Sequence, residues 1–367
     1  MAEELAPASF DDCFRLYQDG RYEDALARAT AALRGLPAEP PGARHEVAAL
    51  WSLVGLSKQA LGDDDGARAG FEAAIHAAPA SERPGYEQRL VALAVTAGRK
   101  LMARAEAVSE SAGEERVAAL RSAAGWLQRA LAVTPDDPRV ASALARSRAS
   151  LWTAYAQLAS GLAHRQEFLG ARRVIREALA DPECPEDRRG TFRELLAATF
   201  SGEVGQLTAH AIRVMQEAHE REALASLERA EALLASIPEE TLTPKRREEV
   251  SRRIWWGYTK LGVRRLESGA VEDAVEPLFH ALRFGVDVER QRETRAALAR
   301  ALDGVADVRT ASIDQLLRQG RRQAAAEQGD RLRLLLREGL KVGLSRKDLT
   351  QALTKVRRVL DQVEHIP

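Results

Sequence analysis

The dipeptide His219-Glu220 is the nearest approach in this sequence to a hydrolytic metal motif. In such a motif two histidines four residues apart on one helical face hold zinc, and the glutamate beside the first acts as base. The second ligand is missing, because the position it would occupy is Ala223. The seven histidines, at 45, 76, 164, 210, 219, 280 and 365, are scattered, so each reads as a helix-surface residue rather than a ligand or base. Neither Cys13 nor Cys184 has a histidine nearby in sequence, and no serine stands in a nucleophile elbow, so no activated nucleophile is predicted. Asp63, Asp64 and Asp65 directly follow Gly62, where negative charge suits a solvated turn leading into a helix N-terminus. No Gly-rich loop follows a strand, which excludes the usual phosphate cradles. The sequence thus predicts no catalytic residue, no metal site and no cofactor.

What remains is chemistry of contact. Trp255 and Trp256 are adjacent, and neighbouring residues on a helix point about 100° apart. The two rings therefore cannot share a direction. Trp256 is either packed against a neighbouring helix or exposed as an interface anchor, a role that tryptophan often plays. Charge is unevenly spread in a chain whose formal net charge is zero. Residues 1–80 hold 13 Asp/Glu against 7 Lys/Arg, a balance of −6; residues 315–367 hold 12 Lys/Arg against 6 Asp/Glu, a balance of +6. Arg357 and Arg358 belong to the basic end. Together with Trp256 they are the candidate partner-binding residues, and the opposed ends raise head-to-tail self-association as an alternative.

The elements that must carry these residues are helices. Hydrophobic residues make up 45% of the 367 and charged residues 29%, with only 5% aromatic, the composition of stacked Ala/Leu helices rather than of one large core. The stretch 48–79 sets Trp51, Val54 and Gly55 before a turn at Gly62, and Ala67, Phe71, Ala74 and Pro79 after it. Bulky residues there fill the space between two helices, small ones allow close backbone approach, and Pro79 stops the second helix. The spacing W-x2-L-G … A-x3-F-x2-A-x4-P resembles the tetratricopeptide-repeat family. That resemblance implies an all-α, helical-hairpin solenoid coiled into a right-handed superhelix, acting as a non-enzymatic scaffold or adaptor that binds a protein or peptide segment along its concave face.

Further hairpins follow the same pattern. The first keeps Gly20, Tyr22, Ala25, Ala32 and Pro37, with Ala29 in place of the aromatic, before a loop at Pro40, Pro41 and Gly42. A loop is expected at 109–116, then Ala123, Leu127, Ala130 and Pro135. A fourth unit carries Trp152, Tyr155 and Leu158, then Phe168, Ala171, Ile175 and Ala178. A degenerate fifth at roughly 201–238 keeps Ala223, Leu227 and Ala230. The sixth has Tyr258, Leu261, Gly262, a turn at Gly269, then Ala274, Leu278 and Ala281; a weaker seventh centres on Gly320, Ala325 and Leu332. Superposition on the fourth unit aligns Trp255 with Trp152 and Tyr258 with Tyr155 as repeating core, and places Trp256 opposite Thr153.

The small residues Ala171, Ala223, Ala274 and Ala325 recur roughly 51 residues apart, whereas the family unit is about 34. Each hairpin there needs a longer first helix or an added one. Pro277 lies inside a second helix, where a kink would adjust curvature or shape a pocket beside Trp256. Ser345 and Asp348 stand in capping-box order, ahead of an apolar stripe at Leu349, Leu353, Val356, Leu360 and Val363 that suits a helix capping the last hairpin. The organisation expected is two hairpins over 1–80, degenerate elongated ones over 81–240, a clear and a degenerate one over 241–340, and a capping helix over 341–367.

A clamp for a partner's terminal carboxylate, which some family members build from asparagine and lysine, is disfavoured. The chain has no asparagine, and Ser52, Leu56, Thr259 and Val263 stand in the matching groove-side places. Balanced charge and the lack of a recurring basic position argue against a nucleic-acid binder. Two unpaired cysteines, an acidic N-terminus and no membrane-length apolar run point to a cytoplasmic protein without a membrane span.

Overall fold

The computed structural model describes residues 9–36, 44–109, 112–284 and 287–365, with the backbone alone for 288 and 363–365. Pro37, Pro40, Pro41, Gly42 and the side chain of Val363 lie outside that description. The described residues form α-helices, with a short 3-10 turn at Glu239–Thr241, and no strands. Two compact units divide the chain, Met1–Leu158 and Ala159–Pro367.

The first unit contains α1 (Phe10–Gln18), α2 (Tyr22–Gly35), α3 (Arg44–Ala60), α4 (Asp64–Ala77), α5 (Arg83–Ala107), α6 (Gly113–Val133) and most of α7 (Pro138–His164). α1 packs on α2, α3 on α4 and α5 on α6, and each of these hairpins packs on the next. α3 and α4 cross at backbone contact: a Cβ added at Gly70 would lie 2.7 Å from the backbone N of Gly55, and one at Gly55 2.8 Å from the Phe71 ring. Two glycines therefore let the backbones touch where larger side chains would wedge them apart. The expected loop at 109–116 is shorter than predicted, since α6 begins at Gly113. Glu114, Glu115 and Arg116 are helical, and the two acids lie in the first turn, where the helix dipole favours them.

The second unit contains the end of α7, then α8 (Phe168–Ala180), α9 (Glu186–Gln216), α10 (Glu220–Ser236), α11 (Pro244–Glu267), α12 (Val271–Arg283), α13 (Val288–Arg318), α14 (Arg322–Lys341) and α15 (Thr350–His365). The long repeat is explained by its first helices. α9 and α13 run for 31 residues each and α11 for 24, against 17 in α3, and no extra α-helix is inserted. The fifth hairpin accordingly starts at Glu186, well before residue 201. First helices also touch one another, α9 with α11 and α11 with α13, so they form a continuous row.

Seven small residues hold the hairpins in register. Ala25, Ala67, Ala123, Ala171, Ala223, Ala274 and Ala325 are all fully buried. Five residues before six of them stands a backbone with positive φ: Gly20, Gly62, Gln166, Ala218, Gly269 and Gly320, at 64–83°. In each such turn the residue after it donates its N–H to a carbonyl five residues back, as from Asp63 to Lys58 and from His219 to Val214. This is the bond that closes a helix C-terminus on a left-handed residue. In the seventh hairpin the large and small places are exchanged: Gly329 stands where Phe71 or Leu278 stands elsewhere, and a Cβ there would lie 2.7 Å from Leu360 of α15.

α15 caps the last hairpin by packing on both α13 and α14. Leu349, Ala352, Val356 and Val359 are buried, while Gln351, Thr354, Arg357 and Arg358 face solvent. Lys355 Nζ adds ion pairs to Asp303 at 2.9 Å and Asp307 at 2.7 Å on α13. The capping box forms, with Ser345 N–H donating to Asp348 at 2.7 Å and Asp348 N–H donating back at 3.2 Å. Residues 346–349 nevertheless make a turn, and the continuous helix begins at Thr350.

Candidate partner-binding surface

α11 presents two faces of opposite character. Ile254, Tyr258 and Leu261, spaced by four and three, are fully buried among the helices α9 to α12. Trp255 is 7% exposed. Its Nε1–H donates to Thr294 Oγ1 of α13 at 3.1 Å, and Thr294 also lies 2.9 Å from Thr259 Oγ1. The indole is thus fixed by packing and by a satisfied buried polar atom. Trp256, one residue on, is 41% exposed. The expected divergence of the two rings is what the helix produces.

Trp256 does not stand alone on its face. Arg252 and Lys260 lie one helical turn to either side, and Lys260 Nζ sits 5.8 Å from the centre of the indole ring, within cation–π range. A cleft of about 550 Å³ opens between both tryptophans and α9, which contributes Ala209 and Ile212, with Arg252, Arg253 and Arg290 around it. Arg253 is held by Glu249 at 2.7 Å. Pro277 is not among the lining residues, so it does not shape this cleft. Of these groups, Arg252 and Lys260 were legible as an i, i+4, i+8 stripe through Trp256; Ile212 and Arg290 are brought in by other helices.

Two of the four places expected to face an open groove are closed, while Leu56 and Val263 are half-buried. Ser52 and Thr259 are each 1% exposed, because the next first helix covers them: Arg89 donates to Ser52 at 2.5 Å, and Thr294 meets Thr259. Trp256 stands at the middle of α11 and escapes that cover.

Three polar clusters serve structure. Tyr258 donates to Glu231 at 2.8 Å and stacks on His280 at 5.1 Å, while His280 Nδ1 lies 2.9 Å from the same carboxylate. Burial, then the bond to Glu231, pushes the Tyr258 hydroxyl far above its ordinary pKa, so it stays protonated as the donor. Arg172, 3% exposed, pairs with Glu203 at 2.6 Å over the Phe200 ring. His219 precedes α10, and Glu220 pairs with Arg264 and Arg265. Among the described residues no group of three metal-ligating side chains converges, and no helix is long and apolar enough to cross a membrane. Arg357 and Arg358 are exposed on α15 and make no ion pair among the described residues.

A left-handed turn residue, a buried alanine five places on and a large apolar residue four beyond that stand together at Gly62, Ala67 and Phe71, and again in the three hairpins that begin their second helices after Gln166, Ala218 and Gly269. This repeat resembles the tetratricopeptide type. No family model and no curated protein sequence matches the chain. Similar solved structures include an assembly chaperone of RpL4 (Acl4), at 20% identity over 81% of this chain and 95% of that one, TM-score 0.18. The TPR domain of P58(IPK) is 13% identical over 96% of this chain and 98% of that one, TM-score 0.21. The structure of Naa15/Naa10 bound to HypK is matched at 15% identity over 97% of this chain and 61% of that one, TM-score 0.25.

Proposed function

We propose that this chain is a non-enzymatic protein-interaction scaffold that holds a partner segment on the face made by α9, α11 and α13, with Trp256 as an anchor. The observation that carries this reading is the contrast between two adjacent tryptophans, one locked by a buried hydrogen bond and the other half-exposed over a cleft. An exposed indole beside a concave apolar site is the residue type and setting in which binding energy concentrates. The buried unpaired thiols of Cys13 and Cys184 fit a reducing, cytoplasmic setting.

The two rings separate in a stability and binding experiment. Trp256→Ala leaves the unfolding free energy within about 0.5 kcal/mol and abolishes selection of peptides by the chain. Trp255→Ala lowers stability by roughly 3 kcal/mol or more, because a filled site empties and Thr294 loses a donor. Equal loss of stability in both variants assigns both rings to the core and refutes the anchor.

A further inference from the structure

The cleft beside Trp256 has one-sided electrostatics. Arg252, Arg253 and Arg290 line it, Lys260 lies against its tryptophan, and none of the lining residues is acidic. Arg253 is already neutralised by Glu249, whereas Arg252 and Arg290 have no carboxylate partner among the described residues. Two uncompensated guanidiniums flank an apolar floor of Ala209 and Ile212 and the two indoles. Such a rim favours an anion over a cation: each guanidinium offers a planar fork of donors that matches a carboxylate bidentately, and the pair repels any cationic segment.

We infer that this cleft binds an acidic protein segment in which aspartate or glutamate flanks one large apolar side chain. This deepens the scaffold reading above and rests on it. The apolar residue enters between Trp255, Trp256 and Ile212, and the flanking carboxylates pair with Arg252 and Arg290. A volume of about 550 Å³ holds one such side chain and its adjoining backbone, not a larger body. Excluding water around the ring raises the strength of the rim charges, since the same ion pairs in open solvent contribute little. A nucleic-acid strand is a poorer fit. Among the described residues Trp256 is the one aromatic of the exposed large hydrophobics, whereas strand binding relies on successive stacking platforms along a basic groove.

The test uses the full chain. A phage-displayed library of random peptides of about 12 residues is selected against wild type, with Trp256→Ala as the counter-selection. Enriched peptides are then synthesised and titrated by fluorescence anisotropy. The expected motif is Asp or Glu on both sides of one aromatic or leucine. Its affinity falls about tenfold or more in the Arg252→Gln, Arg290→Gln double variant, and falls again between ~20 and ~300 mM salt. Replacing the acids of the peptide by lysine abolishes binding to wild type, a result that does not depend on how the variant folds. Trp256-dependent peptides that are neutral or basic overturn the acidic specificity and leave the scaffold reading standing. No enrichment over Trp256→Ala overturns both. A single-stranded oligonucleotide of about 20 nucleotides that binds as tightly as the best peptide, and weakens equally in the double variant, overturns the inference in favour of nucleic acid.

Discussion

Ala218 sits at φ 65° in the turn between α9 and α10, the place held by glycine in four other hairpins of this chain. A left-handed backbone crowds an L-residue's Cβ against the carbonyl and costs about 1–2 kcal/mol, a penalty glycine escapes. Ala218→Gly relieves it, while glycine's greater freedom in the unfolded chain takes back roughly 0.4–1 kcal/mol. The difference is a net stabilisation of roughly 0.5–1 kcal/mol. Ala218 is exposed, so no packing is lost to blur the result. Urea unfolding followed by circular dichroism, together with a thermal scan, reads the change directly. For a unit of this size the melting midpoint rises by about 2–3 °C. Gly62→Ala is the mirror experiment: the same turn at φ 83° with open space around it loses about the same amount. A destabilised Ala218→Gly, the outcome expected of glycine in an ordinary helix, refutes the shared left-handed turn. Gln166→Gly is a weaker test, since Gln166 also accepts a bond from Gln206 at 2.5 Å.

Ala67→Leu and Ala274→Leu, at fully buried pivots, lower stability by roughly 1–3 kcal/mol through overpacking, and Glu72→Ala, exposed on α4, changes it little; urea midpoints that move alike at all three sites mean the hairpin register is wrong. Hydrogen bonds from Ser345, first its hydroxyl and then its backbone N–H, hold the Asp348 carboxyl below the ordinary carboxylate range. A depressed folded value means that the box stabilises the start of the cap above about pH 4, the unfolded value, and the contribution is lost as pH falls through the lower folded value. Carboxyl NMR titration of Ser345→Ala shows the pKa returning toward ordinary; an unchanged value removes the box as its cause. Self-association through the oppositely charged terminal segments predicts scattering mass that rises with protein concentration at ~20 mM salt, falls to monomer by ~300 mM, and is abolished by Arg357→Glu with Arg358→Glu. A monomer at every salt concentration rules it out.

The hairpin fold was written in the sequence because its signals are local. Each small residue at a fixed distance from a turn is needed wherever two helices cross, and Ala67, Ala171 and Ala274 are buried for that reason. The repeat of roughly 51 residues in the second half was equally visible, but spacing alone could not choose between a longer helix and an additional one; α9 and α13, at 31 residues each, make the choice. Helical periodicity likewise separated Trp255 from Trp256, since adjacent side chains diverge by about 100° on any helix.

What periodicity could not supply was the depth of cover over a given face. Ser52 and Thr259 occupy places that open on a groove when first helices are short, and here the following first helix buries them. The same side-by-side packing draws Ile212 and Arg290, from helices before and after, to the edge of Trp256. The sequence by itself determined the hairpins, their glycine turns and their pivots, because those depend on residues within one hairpin. Only the tertiary structure decided which tryptophan meets solvent and which charges surround it, because burial is a property of the neighbours that long helices bring together and is carried by no single stretch of chain.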